Sequence, residues 1–251
     1  MAQHGHSAAC CSIPPIVSKG YETKGKYETI DGLKTYVTGP ADATKGLLFI
    51  YDIFGYFPQS LQGADILSTS DKHNKYQVFI PDFLEGKPAD ITWFPPDTDE
   101  KKKHMGDFFG NQGAPPKTAA RVPIVLKEIQ KQYPNIKTFG IIGFCWGGKI
   151  VSLTTKSGTP FSAAAECHPA MVDPADAPEI SVPLCLLASQ DESVEDVKKF
   201  EANLKVDKYI ETFGDQIHGF MAARSNLDDP KNKAEYERGY KTVLEFFGKH
   251  L

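Results

Sequence analysis

Short apolar runs alternate with longer segments of helical spacing along this chain. Residues 46–51 form a continuous apolar run, which is typical of a buried strand. Further on, Val122, Val125 and Ile129 fall at i, i+3 and i+7, which places them on one face of a predicted helix. Strands that alternate with helices predict an α/β fold with a mostly parallel central sheet flanked by helices.

The remaining elements follow the same alternation. Residues 25–38 are predicted to form a hairpin that turns at Asp31-Gly32, which gives the sheet an antiparallel N-terminal edge. A further helix is predicted to begin near Gly147, and the last helix carries an apolar stripe over residues 236–247. Other strands are predicted at residues 77–80, 138–143, 162–166, 183–188 and 209–213.

A length of 251 residues fits one large α/β domain. Because no repeat or low-complexity linker divides the chain, we predict a single domain over residues 21–251. The preceding segment, residues 1–20, is predicted to be extended.

Composition narrows the class of protein. The net charge is −4, from 28 Lys and Arg against 32 Asp and Glu, and no long run of one sign suggests a nucleic-acid partner. No stretch approaches the ~18 apolar residues that span a bilayer, and the N-terminus lacks the apolar core of a secretory signal. We therefore expect no nucleic-acid or membrane partner and a cytoplasmic location.

Five cysteines are an odd number in a chain of ordinary size, which argues against a disulfide framework. Cys10 and Cys11 lie close to His4 and His6. A frayed terminal pair and a weak metal-binding pair both fit that arrangement, and we predict no metal at the functional site.

The clearest motif is Gly-Phe-Cys-Trp-Gly-Gly at residues 143–148, a G-x-C-x-G version of the G-x-S-x-G nucleophile elbow. In such an elbow a strand turns abruptly into a helix, and small residues on either side let the backbones pass. Cys145 would then sit at a helix N-terminus, where the dipole favours a thiolate. A buried structural cysteine in a glycine-rich turn is the alternative.

An elbow nucleophile needs an acid and a base later in the chain, each after a strand. Asp191 follows the predicted strand 183–188, and His218 follows the strand 209–213. Glu192 is the rival acid, but Asp191 stands nearer the strand end. His168 is the rival base; it precedes both acids, so we expect it to line or pack under the site.

The elbow at residues 143–148, Asp191 and the triplet His218-Gly219-Phe220 resemble the dienelactone hydrolase family, closest to its eukaryotic and fungal members. The similarity covers about residues 25–250. It implies an α/β-hydrolase fold and a carboxylic-ester hydrolase that acts on lactones or small activated esters, with no metal or organic cofactor.

The resemblance also implies roles for polar residues beside the triad. Asp52 stands where relatives carry an acid that faces the nucleophile, and is expected to modulate it. Relatives place two arginines for a substrate carboxylate. This chain offers Arg224, slightly later than expected, and Lys87 in place of the other arginine, so it departs from the pattern of the members that open dienelactone.

Two backbone N–H groups, those of Trp146 and Ile53, are predicted to form the oxyanion hole, each stabilising the transition state by about 3 kcal/mol. Phe220 and Phe54 are predicted to contact the substrate. The irregular segment 91–116 is either a partial lid or a packed surface excursion.

Two other functions are open to this sequence. Cys145 would act as a peroxidatic or sensor thiol in a redox protein, with Cys167 after the adjacent strand as a nearby thiol. The fold would also suit a catalytically silent binding protein. The predicted partner is a small-molecule ester or lactone, and the chain is predicted to be a monomer or homodimer.

Overall fold

A computed structural model describes residues 20–71 and 73–251. The predicted extended segment, residues 1–20, lies outside the described part of the chain except for Gly20, and so do Cys10 and Cys11.

Within the described residues, eight strands join in one sheet, in the order β1-β2-β4-β3-β5-β6-β7-β8. β1 pairs antiparallel with β2 and β2 with β4, whereas the pairings from β4 through β8 are parallel. The predicted parallel sheet with an antiparallel N-terminal edge is therefore confirmed. The strands are β1 Lys26–Ile30, β2 Leu33–Thr38, β3 Lys45–Ile50, β4 Tyr76–Pro81, β5 Thr138–Phe144, β6 Ala163–Cys167, β7 Leu184–Ser189 and β8 Lys208–Phe213.

Helices cover the sheet on its two faces. They are α1 Pro58–Thr69, α2 Asp99–Gly110, α3 Pro115–Gln132, α4 Trp146–Thr154, α5 Val194–Asn203 and α6 Pro230–His250. Between Gly20 and Leu251, Lys72 aside, no helix is long and apolar enough to cross a membrane.

Three of these helices, α1, α2 and α5, have no counterpart among the predicted elements. The buried face of α1 includes polar side chains such as Gln59 and Asp65, which hides the apolar period. The helix α2 buries only Met105 and Phe108, so its apolar stripe is short. Helical periodicity is a weak signal when the buried face is polar or small.

The parallel strands bring their carboxyl ends to one edge of the sheet, where open α/β sheets bind ligands. β3 is followed there by Asp52, β5 by Cys145, β6 by His168 and β8 by the loop that carries His218. Residues far apart in sequence are therefore gathered beside the N-terminus of α4.

Candidate active site

Cys145 lies at the abrupt turn between β5 and α4, with φ of 52° and ψ of −113°. That backbone conformation is strained for a residue with a side chain. The neighbouring glycines are required by contact: a Cβ on Gly143 would stand 2.1 Å from the carbonyl oxygen of Gly147, and one on Gly147 would stand 2.3 Å from that of Ile50. The strand-turn-helix context predicted for the elbow is present.

His218 is fully buried, and its Nδ1 lies 2.6 Å from Oε1 of Glu192. The structure here differs from the prediction of Asp191 as the acid. Asp191 instead accepts the backbone N–H of His218 at Oδ2, 2.7 Å away. Glu192, the rival in the sequence, is therefore the carboxylate that meets the imidazole.

The turn after β7 explains why Glu192, and not Asp191, contacts the imidazole of His218. The second carboxylate oxygen of Glu192 accepts the backbone N–H of Ser189, so the side chain folds back over the strand end and into the protein. Asp191 stays partly exposed, with its own N–H donated to the Ser189 hydroxyl. Adjacent acids after a strand cannot be ranked from sequence, because side-chain direction in the turn decides which one points inward.

The electrostatic setting of His218 favours its protonated form. Burial alone would lower its pKa, but the negative charges of Cys145 and Glu192 and the hydrogen bond to Glu192 raise it to about 10. An imidazolium held beside an anionic thiolate is the arrangement that activates a cysteine nucleophile.

Asp52 is fully buried at the end of β3. Its carboxylate accepts the backbone N–H groups of Phe54, at 2.9 Å, and Ala223, at 3.2 Å. Burial, followed by the charge of Cys145, raises its pKa to about 6, although the charge of Arg224 and the two N–H groups act in the other direction. Asp52 is thus buried within the electrostatic reach of Cys145, and its role in modulating the nucleophile stays a prediction.

Arg224 is buried beside the catalytic histidine loop. Its aliphatic stem lies against Gly219, where an added Cβ would be 2.9 Å from Arg224 Cδ. The guanidinium stands 5.0 Å from the ring centre of Phe54 and 5.9 Å from that of Phe94. A cation therefore packs against two neighbouring aromatic rings next to the site.

Lys87, the predicted second cation, is exposed on the turn after β4. Its backbone N–H closes that turn on the carbonyl of Leu84. Its side chain would have to reach inward from the surface to meet a substrate held beside Cys145, so the paired clamp stays a prediction.

Phe54 and Phe220, the predicted substrate contacts, are both buried. Phe54 packs against Phe94, with ring centres 5.0 Å apart, and Phe220 packs against Phe213 at 4.8 Å. Phe54 thus joins the segment 91–116 to the site, whereas Phe220 packs on the side of β8.

Trp146 connects the nucleophile to the same segment. It is the first residue of α4, and its indole N–H donates to the carbonyl of Gly113 at 2.8 Å. Ile53 is held from the other side, because its carbonyl accepts the N–H of Ala89. The two backbones predicted to form the oxyanion hole thus belong to fixed turns, and their role as donors stays a prediction.

His168 is a site neighbour whose contact with the base the sequence did not reveal. Its ring centre lies 5.3 Å from that of His218, at an interplanar angle of 72°. The available signal was its position directly after β6, which places it at the same edge of the sheet as Cys145. In the range Gly20 to Leu251, without Lys72, no cluster of three or more His, Cys, Asp or Glu side chains is arranged to hold a metal ion.

Comparison with known proteins places this site in a family. The model of the dienelactone hydrolase family matches residues 33–251. An uncharacterized AIM2 family protein of Schizosaccharomyces pombe is 36% identical over 250 residues, covering 96% of this chain and 98% of that protein. A human carboxymethylenebutenolidase homolog is 26% identical over 240 residues, covering 92% and 93%.

Solved structures agree on the fold. A dienelactone hydrolase from Anabaena variabilis superposes with a TM-score of 0.64 at 14% identity, covering 92% of this chain and 98% of that one. The family match over most of the chain, together with an elbow cysteine beside a buried histidine, leads to one conclusion: the chain belongs to the dienelactone hydrolase family, and it is a carboxylic-ester hydrolase of the α/β-hydrolase fold.

Proposed function

We propose that this enzyme hydrolyses lactones or small carboxylic esters through a thioester on Cys145, with His218 as proton carrier and Glu192 as its charge partner. The observation that carries the proposal is the buried hydrogen bond between Glu192 and His218 behind a cysteine in an elbow conformation. That arrangement is the nucleophile, base and orienting acid of acyl-transfer enzymes.

The first half of the reaction begins from a thiolate beside an imidazolium, the state that the raised pKa of His218 favours at neutral pH. The sulfur of Cys145 attacks the acyl carbon, and the carbonyl electrons move to oxygen. The N–H groups of Trp146 and Ile53 are the proposed donors to that oxyanion. The ester C–O bond then breaks, and the leaving oxygen takes the proton from His218.

The second half restores the starting state. Neutral His218 takes a proton from water, and the water oxygen bonds to the thioester carbon. The C–S bond breaks, which releases the acid and leaves a thiolate beside an imidazolium. Glu192 orients the ring through Nδ1 in both halves, and Asp191 fixes the backbone of the same residue.

The substrate class follows from the cation next to the site. Arg224 is a buried guanidinium, and a guanidinium binds a carboxylate through two parallel hydrogen bonds. We therefore propose a lactone or ester that carries an anionic group. The human relative is named a carboxymethylenebutenolidase homolog, and such a name also describes a carboxylate-bearing lactone.

A redox function is less well supported. The described thiols near the elbow, Cys167 and Cys185, are both buried, and burial raises the pKa of each. A thiol of raised pKa is a poor resolving partner, since the thiolate is the reactive form.

The test uses the purified protein with a panel of p-nitrophenyl esters and with peroxide. The proposal predicts ester turnover and an acyl adduct on Cys145, detected by intact-mass and peptide mass spectrometry, with both lost in Cys145→Ala. A sulfenate on Cys145 without ester turnover would establish the redox function instead. Turnover that survives Cys145→Ala would overturn the proposed nucleophile.

A further inference from the structure

His168 has two features that cost folding free energy and that packing alone does not require. It is fully buried, and neither Nδ1 nor Nε2 of its ring has a hydrogen-bond partner among residues 20–71 and 73–251. Each unsatisfied polar group of this kind costs about 1–3 kcal/mol. Its backbone also has a positive φ of 37°, a strained value for a residue with a side chain.

The backbone around His168 is nevertheless fixed on both sides. Its N–H donates to the carbonyl of Leu187 at 2.6 Å, and the N–H of Ala170 donates to the carbonyl of Cys145 at 2.9 Å. These two bonds therefore fix the position of the His168 ring, directly behind the turn that carries Cys145. A phenyl ring would make the same apolar contacts with Phe144 and Phe220 without unsatisfied nitrogens.

The ring stands beside the residue that handles protons. Its centre is 5.3 Å from that of His218 at an interplanar angle of 72°, so the two rings meet edge to face, and a water that bonds a nitrogen of each ring at about 2.8 Å would lie beside this contact. Burial, followed by the charges of His218 and Arg224, holds the pKa of His168 well below its usual range. His168 therefore stays neutral and offers one acceptor and one donor nitrogen.

We propose that His168 binds the water that hydrolyses the acyl-enzyme. The inference rests on the proposed thioester mechanism. The acceptor nitrogen of His168 takes a hydrogen bond from one O–H of the water, while the other proton passes to His218. The water oxygen then bonds to the thioester carbon as the C–S bond breaks. His168 itself is neither protonated nor consumed, and its effect is confined to deacylation.

The experiment compares His168→Phe, which keeps the ring contacts, with His168→Gln, which restores a polar group. Acylation is followed as the p-nitrophenol burst from p-nitrophenyl acetate, and deacylation as the decay of the acyl adduct by rapid-quench mass spectrometry. We expect the Phe variant to acylate within about threefold of wild type and to deacylate at least about tenfold more slowly, as expected for lost help in proton transfer. The Gln variant should deacylate faster than the Phe variant.

Hydroxylamine separates a missing water site from a damaged base. As a strong nucleophile it should discharge the acyl group from the Phe variant at a rate near that of wild type. His104→Phe, a substitution of an exposed histidine that stacks on Trp93, controls for the exchange itself. Thermal unfolding should show that the Phe variant is no less stable than wild type, because two unsatisfied nitrogens are removed. If the Phe variant is unfolded, His168→Leu, which also removes both nitrogens, carries the same kinetic test.

Deacylation at the wild-type rate in the Phe variant, or an equal loss of acylation and deacylation, would overturn the inference. A wild-type enzyme that forms no acyl adduct would instead contradict the proposed function, so the two failures are distinguishable.

Discussion

Oε1 of Glu192 lies 2.6 Å from Nδ1 of His218, and both side chains are closed to solvent. The orientation of the carboxylate is fixed, because its second oxygen accepts the backbone N–H of Ser189. The imidazole therefore keeps a proton on Nδ1. Its Nε2 is the nitrogen that remains to exchange protons during the reaction.

Substitution of each of the two neighbouring acids by its amide should show which one supports catalysis. In Glu192→Gln the amide oxygen is expected to accept from Ser189, which turns the amide NH₂ towards His218 and disfavours the Nδ1–H tautomer. We expect kcat to fall by about a thousandfold or more. Asp191→Asn keeps an acceptor for the His218 backbone and should retain activity within about tenfold. Steady-state assays of both variants decide the assignment, and a larger loss for Asp191→Asn would return the role to that residue.

The elbow should distinguish a hydroxyl from a thiol. Cys145→Ser is expected to keep weak esterase activity, because the same partners suit a hydroxyl, but to lose reactivity towards iodoacetamide. The other Cys→Ala variants, at positions 10, 11, 167 and 185, should stay within a few-fold of wild type. If Cys145→Ser is inert towards every ester tested, attack depends on the thiolate alone.

Asp52 should make stability depend on pH. Its folded pKa of about 6 lies above the unfolded value of 3.8, so the folded state binds the extra proton and is favoured at low pH. The wild-type free energy of unfolding, relative to Asp52→Asn, should therefore fall by about 2 kcal/mol as pH rises from about 4 to 7. Urea unfolding of both proteins across this range measures the difference. A constant offset caused by the lost acceptor does not affect the slope, whereas a flat difference would contradict the prediction.

The same carboxylate should restrain the nucleophile. If Asp52 repels the thiolate, Asp52→Asn should shift the pH profile of Cys145 alkylation by iodoacetamide to lower pH, because a like charge disfavours the anion. A profile that stays in place or moves to higher pH would remove this role.

Arg224 should discriminate between substrates. A matched pair of esters, one ending in a carboxylate and one in a methyl group, is compared in wild type and in Arg224→Ala. We expect kcat/KM for the charged ester to fall about tenfold or more, as for a lost charged hydrogen bond, with the methyl ester little changed. Arg224→Lys, which keeps the charge but not the planar fork, should lie between them. An equal loss on both esters would show a packing role instead.

The sequence predicted the parts of this protein that depend on local pattern. The sheet and the elbow followed from apolar runs and from spacing, because β5, the turn and α4 are contiguous in sequence. The choice between Asp191 and Glu192 depended on how one turn directs its side chains, which no pattern records. The burial of Arg224 and the contact of His168 with His218 depended on packing between distant segments.

The indole of Trp146 is bonded to Gly113, and Gly113 is itself fitted against the ring of Phe108, which an added Cβ would meet at 2.3 Å. The stretch between α2 and α3 is therefore fixed in length as well as in composition. Moving it by one residue would present a different carbonyl to the indole. Loop grafting that aims to broaden the substrate range should therefore replace segments on the outer side of α2. Residues 108–114 and Trp146 should be kept together and unchanged.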